Sequence, residues 1–182
     1  MILFPIKYHH VHIRNYKQVF GQLHDSCKPL INDVKGKWNS QVKTTFFDEN
    51  DIIAPDELGE FLSPYLYQYF PPEVEIRIVN SWMNLYNKGD WQEPHHHITF
   101  PEFINFSGVI FINYNKESDA PFYFENMNLD HTISGYTHIF KQNPIMYPQI
   151  RQGDLIVFPS FVRQGVLSVS YTHLTLPTKA LV

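Results

Sequence analysis

Cysteine is almost absent from this sequence: Cys27 stands alone among 182 residues. No internal disulfide can form, so a packed core has to hold the fold. A lone thiol suits a reducing compartment and the role of a small buried hydrophobe. Glycine is also scarce, with 8 against 13 prolines. Basic charge is low: 14 Lys and Arg face 18 Asp and Glu, a formal net charge of −4. With no basic run, a broad nucleic-acid surface is excluded. No apolar stretch approaches the length of a membrane span. Met1 to Lys7 lacks the basic start, apolar run and small-residue cleavage site of a signal peptide. These absences predict a cytoplasmic protein with no membrane partner. What is present is aromatic: Phe, Trp and Tyr make up 16% of the chain, and apolar residues 43%. That mixture suits strands and turns, and the length suits one domain with a sizeable core.

The apolar spacing begins as helical. Val19, Phe20, Leu23 and Cys27 follow Asn15, a candidate N-cap. A second helix is expected after Pro55, with Asp56 and Glu57 at its positive end. Leu58, Phe61, Leu62 and Tyr65 form its face, and Pro64 is expected to kink or end it. From Val74 the period changes to two. Val74, Ile76 and Ile78 open a strand that continues through Trp82–Tyr86 into a turn at Asn87–Asp90. Val109–Tyr114, Phe122–Phe124 and Leu155–Phe158 read as further short strands, the last following a turn at Gln152–Asp154. The pattern predicts a mainly β domain with N-terminal helices, a sandwich or barrel.

The stretch from Val169 to Thr178 resembles the translation of a transposon-end sequencing adapter. On that reading, residues 1–167 form a single domain, about 1–73 of it the helical part. Residues 168–182 are then a non-native tail, and the last strand is missing, which exposes a sheet edge. The competing reading is a genuine terminal strand, because Tyr, Thr, Leu and Val are good strand formers.

The segment richest in chemistry is Pro94-His95-His96-His97. Residues two apart on a strand share a face, so His95 and His97 point together and His96 points away. Two imidazoles can hold one divalent transition metal and leave positions open for small ligands. The competing reading is a solvated, histidine-rich loop. A third ligand has to come from a neighbouring strand. Gly153–Gln164 supplies a turn, a buried strand and a bend at Pro159, with Gln164 as the site-facing residue. His9, His10 and His12 alternate near the start and read as a surface strand rather than a second metal site. Asp154 is expected to fix its turn.

Tyr86, Gly89, His95 and His97 stand at the places where prolyl-hydroxylase-like oxygenases carry a Tyr, a turn Gly and a His-x-Asp pair. His97 occupies the carboxylate's place. Trp82, Asn84, Lys88-Gly89-Asp90, Ser107-Gly108-Val109 and Phe111 complete a pattern similar to a phage and marine-bacterial branch of the Fe(II)/2-oxoglutarate oxygenases. Gly153-Asp154 through Phe158-Pro159-Ser160 resembles its second motif. The likeness spans about residues 74–167.

That resemblance implies a double-stranded β-helix, a jelly roll like that of the cupins, in a bacterial or phage-infected cell. It implies Fe(II) and 2-oxoglutarate as cofactors, dioxygen as co-substrate and hydroxylation of an unknown substrate. It places metal ligation on His95, His97 and Gln164, and 2-oxoglutarate contacts on Tyr86 and Asn84, either of which could instead only pack. Two departures stand out. Gln164 occupies the place of the distal histidine, and an amide is a poor ligand beside imidazoles. No arginine follows Arg163 to pair with the far carboxylate of 2-oxoglutarate. The alternative is a cupin-like module that holds a metal or small ligand without turnover. There Gly89, His95, His97, Glu102 and Gly108 approximate the first cupin motif, and Glu102 is a further ligand.

Overall fold

The computed structural model describes residues 6–18, 20–21, 32–33, 38–48, 52–101, 103–126, 128, 131, 133–168 and 173–181, with only the backbone at 32–33 and 173–181. Cys27 and Glu102 therefore lie outside the described residues, as do Val19 and Leu23 of the first expected helix. Its residues 16–18 and 20–21 are helical, directly after Asn15.

The strands are β1 (His9–His12), β2 (Asn32–Asp33), β3 (Lys43–Thr44), β4 (Arg77–Ser81), β5 (Asn84–Tyr86) and β6 (Gln92–His95). They continue with β7 (Phe106–Asn113), β8 (Phe122–Glu125), β9 (Ile145–Met146), β10 (Asp154–Pro159), β11 (Arg163–Val166) and β12 (His173–Leu181). Helices α1 (Pro55–Leu66) and α2 (Tyr136–Ile139) lie between strands. The strands form two antiparallel sheets. The larger has eight strands in the order β1-β10-β7-β12-β5-β3-β2, with β4 also paired to β12; the smaller runs β6-β11-β8-β9.

Side-chain parity decides what each sheet face buries. Val109 and Phe111 of β7, with Ile156 and Phe158 of β10, turn toward the small sheet. There they pack with Phe122, Phe124 and Val166. The alternate residues Ile110, Ile112, Leu155 and Val157 turn outward onto Leu58, Leu62 and Leu66 of α1 and onto Ile13 and Phe20. β7 and β10 are thus buried on both faces, which is why they read as unbroken apolar runs. The architecture is a double-stranded β-helix with helices on its outer face.

Local expectations meet specific corrections. The strand expected from Val74 begins at Arg77 as β4. The continuing strand is divided at Trp82–Met83 into β4 and β5, and both pair with β12. Pro64 does not end α1, which runs on to Leu66. Proline has no N–H for the carbonyl of Glu60; the hydroxyl of Ser63 donates to it instead, at 2.9 Å. The expectation of a missing last strand is also corrected. Residues 173–181 form β12, which lies between β7 on one side and β4 and β5 on the other. Two strand edges facing one gap offer unpaired N–H and C=O groups to any extended chain of strand-forming residues, and backbone pairing is not sequence-specific. Its ladder is irregular, with register shifts at Leu174/Thr175 and at Lys179/Ala180. No helix among the described residues is long and apolar enough to cross a membrane.

Candidate metal centre

His95 ends β6, the edge strand of the small sheet, and pairs directly with Gln164 of β11. Pro94 sits on that edge, where its missing N–H costs no ladder bond. Between Gln164 and Val166 the β6–β11 register shifts, so Gln92 rather than Glu93 opposes Val166. His97 lies beyond the strand. Its backbone N–H donates to the carbonyl of Ser160 at 2.9 Å, which ties it to the end of β10. His96 is exposed. The pairing of His95 with His97 by alternation therefore persists past the last ladder residue, because the chain stays extended and Ser160 holds it.

The three expected ligands meet. Nε2 of His95 and Nε2 of His97 are 3.1 Å apart, and the side-chain amide of Gln164 is 2.7 Å from the first and 3.4 Å from the second. Two nitrogens each about 2.0–2.1 Å from one metal, at angles between octahedral and tetrahedral, stand about 2.9–3.4 Å apart. The observed spacing fits that requirement. The Nδ1–H of His95 donates to the carbonyl of Glu93 at 2.8 Å, which leaves Nε2 with the lone pair a metal needs. Burial pushes the His95 imidazole below its ordinary pKa, outweighing the opposing pull of Glu93. The ring is then neutral at neutral pH. Nδ1 of His97 is 2.8 Å from Ser107 Oγ, which is 2.8 Å from Ser160 Oγ. The edge of Trp82 meets the His97 ring at a centroid distance of 5.5 Å. Gln164 is 3% exposed. The oxygen and nitrogen of its amide exchange places on a flip, so the carbonyl oxygen can face the same point. The set is two imidazoles and one neutral amide, with no carboxylate. Among the described residues no three His, Cys, Asp or Glu gather at a metal's distance.

Asn84 and Tyr86 share the inner face of β5 and are almost fully buried. Thr44 Oγ1 donates to Asn84 Oδ1 at 2.6 Å, Asn84 Nδ2 donates to the Tyr86 hydroxyl at 3.4 Å, and that hydroxyl donates to Gln92 Oε1. Burial, reinforced by Asp90, raises the Tyr86 phenol far above its ordinary value, so it stays neutral. This chain of polar groups runs from Thr44 to Gln92. Gln92 also lines a cavity of about 230 Å³ together with His95, His97, Trp38, Phe46 and Trp82. Trp82 is thus both core and wall.

Sequence reasoning did not find Ser107, Ser160, Gln92 or Trp38 as parts of the centre. Ser107 and Ser160 do stand in the two motifs, but only tertiary pairing of β7 with β10 brings their hydroxyls together. His10 and His12 belong to a separate cluster, where both hold Asp154.

Fold and side-chain geometry together describe a double-stranded β-helix in which two imidazoles and one amide converge at a point. The family described as "Putative 2OG-Fe(II) oxygenase" matches residues 80–173, just over half of the chain, and the chain belongs to that family. Among solved structures, it is similar to a prolyl-4-hydroxylase from Pseudomonas putida (TM-score 0.60, 14% identity, 96% of this chain and 91% of that one). It is also similar to a viral collagen prolyl hydroxylase from Paramecium Bursaria Chlorella virus-1, in complex with 2-oxoglutarate (TM-score 0.57, 10% identity, 95% and 94%). A third is HygX from Streptomyces hygroscopicus with nickel, 2-oxoglutarate and hygromycin B bound (TM-score 0.62, 8% identity, 96% and 82%). At these identities the likeness shows the fold. No curated protein matches the sequence.

Proposed function

We propose that this chain is an Fe(II)- and 2-oxoglutarate-dependent dioxygenase that hydroxylates a substrate. The observation that carries the reading is the meeting of His95 Nε2, His97 Nε2 and the Gln164 amide at one point. His95, His97 and Gln164 would hold Fe(II), and Asn84 and Tyr86 would hydrogen-bond a carboxylate of 2-oxoglutarate. When bound, the two cofactors supply activation of dioxygen and delivery of oxygen to a substrate. The chain itself orients the ligands: Glu93 O and Ser107 fix the imidazoles, and the aromatic residues around His97 exclude water. The neutral Tyr86 phenol offers a donor without a charge.

A second reading is favoured by one specific feature. Gln164 is a weak third ligand beside two imidazoles. A cupin-like module that binds metal without turnover fits that donor set. Anaerobic titration of Fe(II) and 2-oxoglutarate, monitored for the weak visible charge-transfer band of the ternary complex, separates the two. The band supports the dioxygenase. Iron binding without the band supports the module.

A further inference from the structure

We infer that the cavity beside the metal centre binds an alkylammonium group, and that Glu93 selects it by charge. The inference rests on the proposed function only in taking this cavity as the substrate's. The cavity, about 230 Å³, opens against His95 and His97 and is walled by Trp38, Phe46 and Trp82. These rings form a continuous run: Trp38 lies 5.1 Å from Phe46, and Phe46 lies 5.2 Å from Trp82 between ring centroids. Aromatic faces attract a cation through the ring quadrupole, more strongly where water is excluded.

Glu93 is the one carboxylate among the described residues that line the cavity, and none of them is Lys or Arg. The nearby Arg163 is engaged elsewhere, with Glu125 at 2.9 Å and the carbonyl of Pro94 at 2.9 Å. No cation among the described residues pairs with Glu93. In the metal-free chain a dianion such as glutarate would meet one negative charge and no compensating positive one here. Thr99 also lines the cavity, and its buried Oγ1 has no hydrogen-bond partner among the described residues. A hydroxyl oxygen accepts a hydrogen bond from an ammonium N–H or from a ligand hydroxyl. Aromatic walls, one carboxylate and a free acceptor are the recognition chemistry of a small organic cation. The cavity's size suits one amine or one side chain rather than a large ligand.

Two of the three tryptophans line the cavity, so tryptophan fluorescence of the metal-free chain reads binding directly. The probes are choline, its uncharged isostere 3,3-dimethylbutan-1-ol, the methylamide of N-acetyl-lysine, and glutarate. The titrations are run at pH 8, where an unperturbed imidazole is neutral. The expected result is choline or the lysine derivative binding about tenfold more tightly than the isostere, the size of a desolvated cation–π contact with charge pairing. Whichever cation binds more tightly names the source, a small free quaternary ammonium or a lysine side chain. Glu93→Gln is expected to remove most of the preference while leaving the isostere's affinity unchanged. Equal binding of choline and isostere to the unaltered chain overturns the inference, as does glutarate binding more tightly than either cation. Because no metal is added, cation binding without the charge-transfer band would leave this inference standing and the dioxygenase reading refuted. The band without cation preference would do the reverse.

Discussion

The hydroxyl of Ser107 lies 2.8 Å from Nδ1 of His97 and 2.8 Å from the hydroxyl of Ser160, so one serine joins the imidazole to the end of β10. A partner on the far nitrogen of a ligating histidine fixes its tautomer and ring angle, and losing it weakens metal binding about 10–100-fold. Ser107→Ala is expected to do so while the chain stays folded. Fe(II) titration by calorimetry measures the affinity, and a thermal melt measures the fold. Unchanged affinity would show that Ser107 only fills space.

His95→Ala and His97→Ala are each expected to abolish stoichiometric iron binding, read by metal analysis after desalting. The stability costs should differ. His97 is 6% exposed and engaged by Ser107, whereas His95 is only partly buried. His97→Ala should therefore lower the melting temperature more. Full iron content in either variant would overturn the ligand assignment.

Gln164→His tests the third position. An imidazole there would replace a weak oxygen donor with a strong nitrogen donor, so Fe(II) should bind at least about tenfold more tightly by titration. No gain would mean that residue 164 does not reach the metal.

Gly165, next to Gln164 on β11, has no room for a side chain. A Cβ there would stand 2.7 Å from the Tyr123 hydroxyl, 2.8 Å from its ring carbon and 3.0 Å from the backbone carbonyl of Gln92. Gly165→Ala should destabilise by about 1–3 kcal/mol in denaturant unfolding. Adding Tyr123→Ala should cost less than the two changes summed, because it removes the nearer clash.

Asp154 predicts a pH dependence. Burial works to raise its carboxyl pKa, but hydrogen bonds from His10, His12 and the Arg151 amide outweigh it and hold the group below its ordinary value. A carboxyl depressed in the folded state adds stability above its unfolded pKa of about 4 and loses it as pH falls through the lower folded value. Stability should therefore drop on acidification below about pH 4. Asp154→Asn should flatten that acid limb and cost about 1–3 kcal/mol at pH 7. Denaturant melts across pH 2–7 (a range set by the carboxylate pKa) check both.

The core strands were legible because their chemistry is local. Val109–Tyr114 and Leu155–Phe158 are dense in β-branched and aromatic residues, and they became β7 and β10. The alternation of His95 and His97 was legible for the same reason. Other features depended on partners far along the chain. Pro64 was expected to kink or end its helix, because Ser63's capture of the Glu60 carbonyl is invisible in a residue pattern. The break at Trp82–Met83 follows from how β4 and β5 share β12. His9, His10 and His12 read as a surface strand, and only the β1–β10 pairing brings His10 and His12 onto Asp154.

By itself, the sequence determined the fold class and the spacing of the two histidines, since hydrophobic period and strand alternation are properties of neighbours. Only the tertiary structure decided the rest. Gln164 is 67 residues from His97 along the chain, and Ser160 is 53 from Ser107. Glu93 meets the aromatic wall of Trp38 and Phe46 only in the folded cavity. Such meetings depend on sheet register and on the register shift in β11, and register is set by which faces bury together across the whole roll.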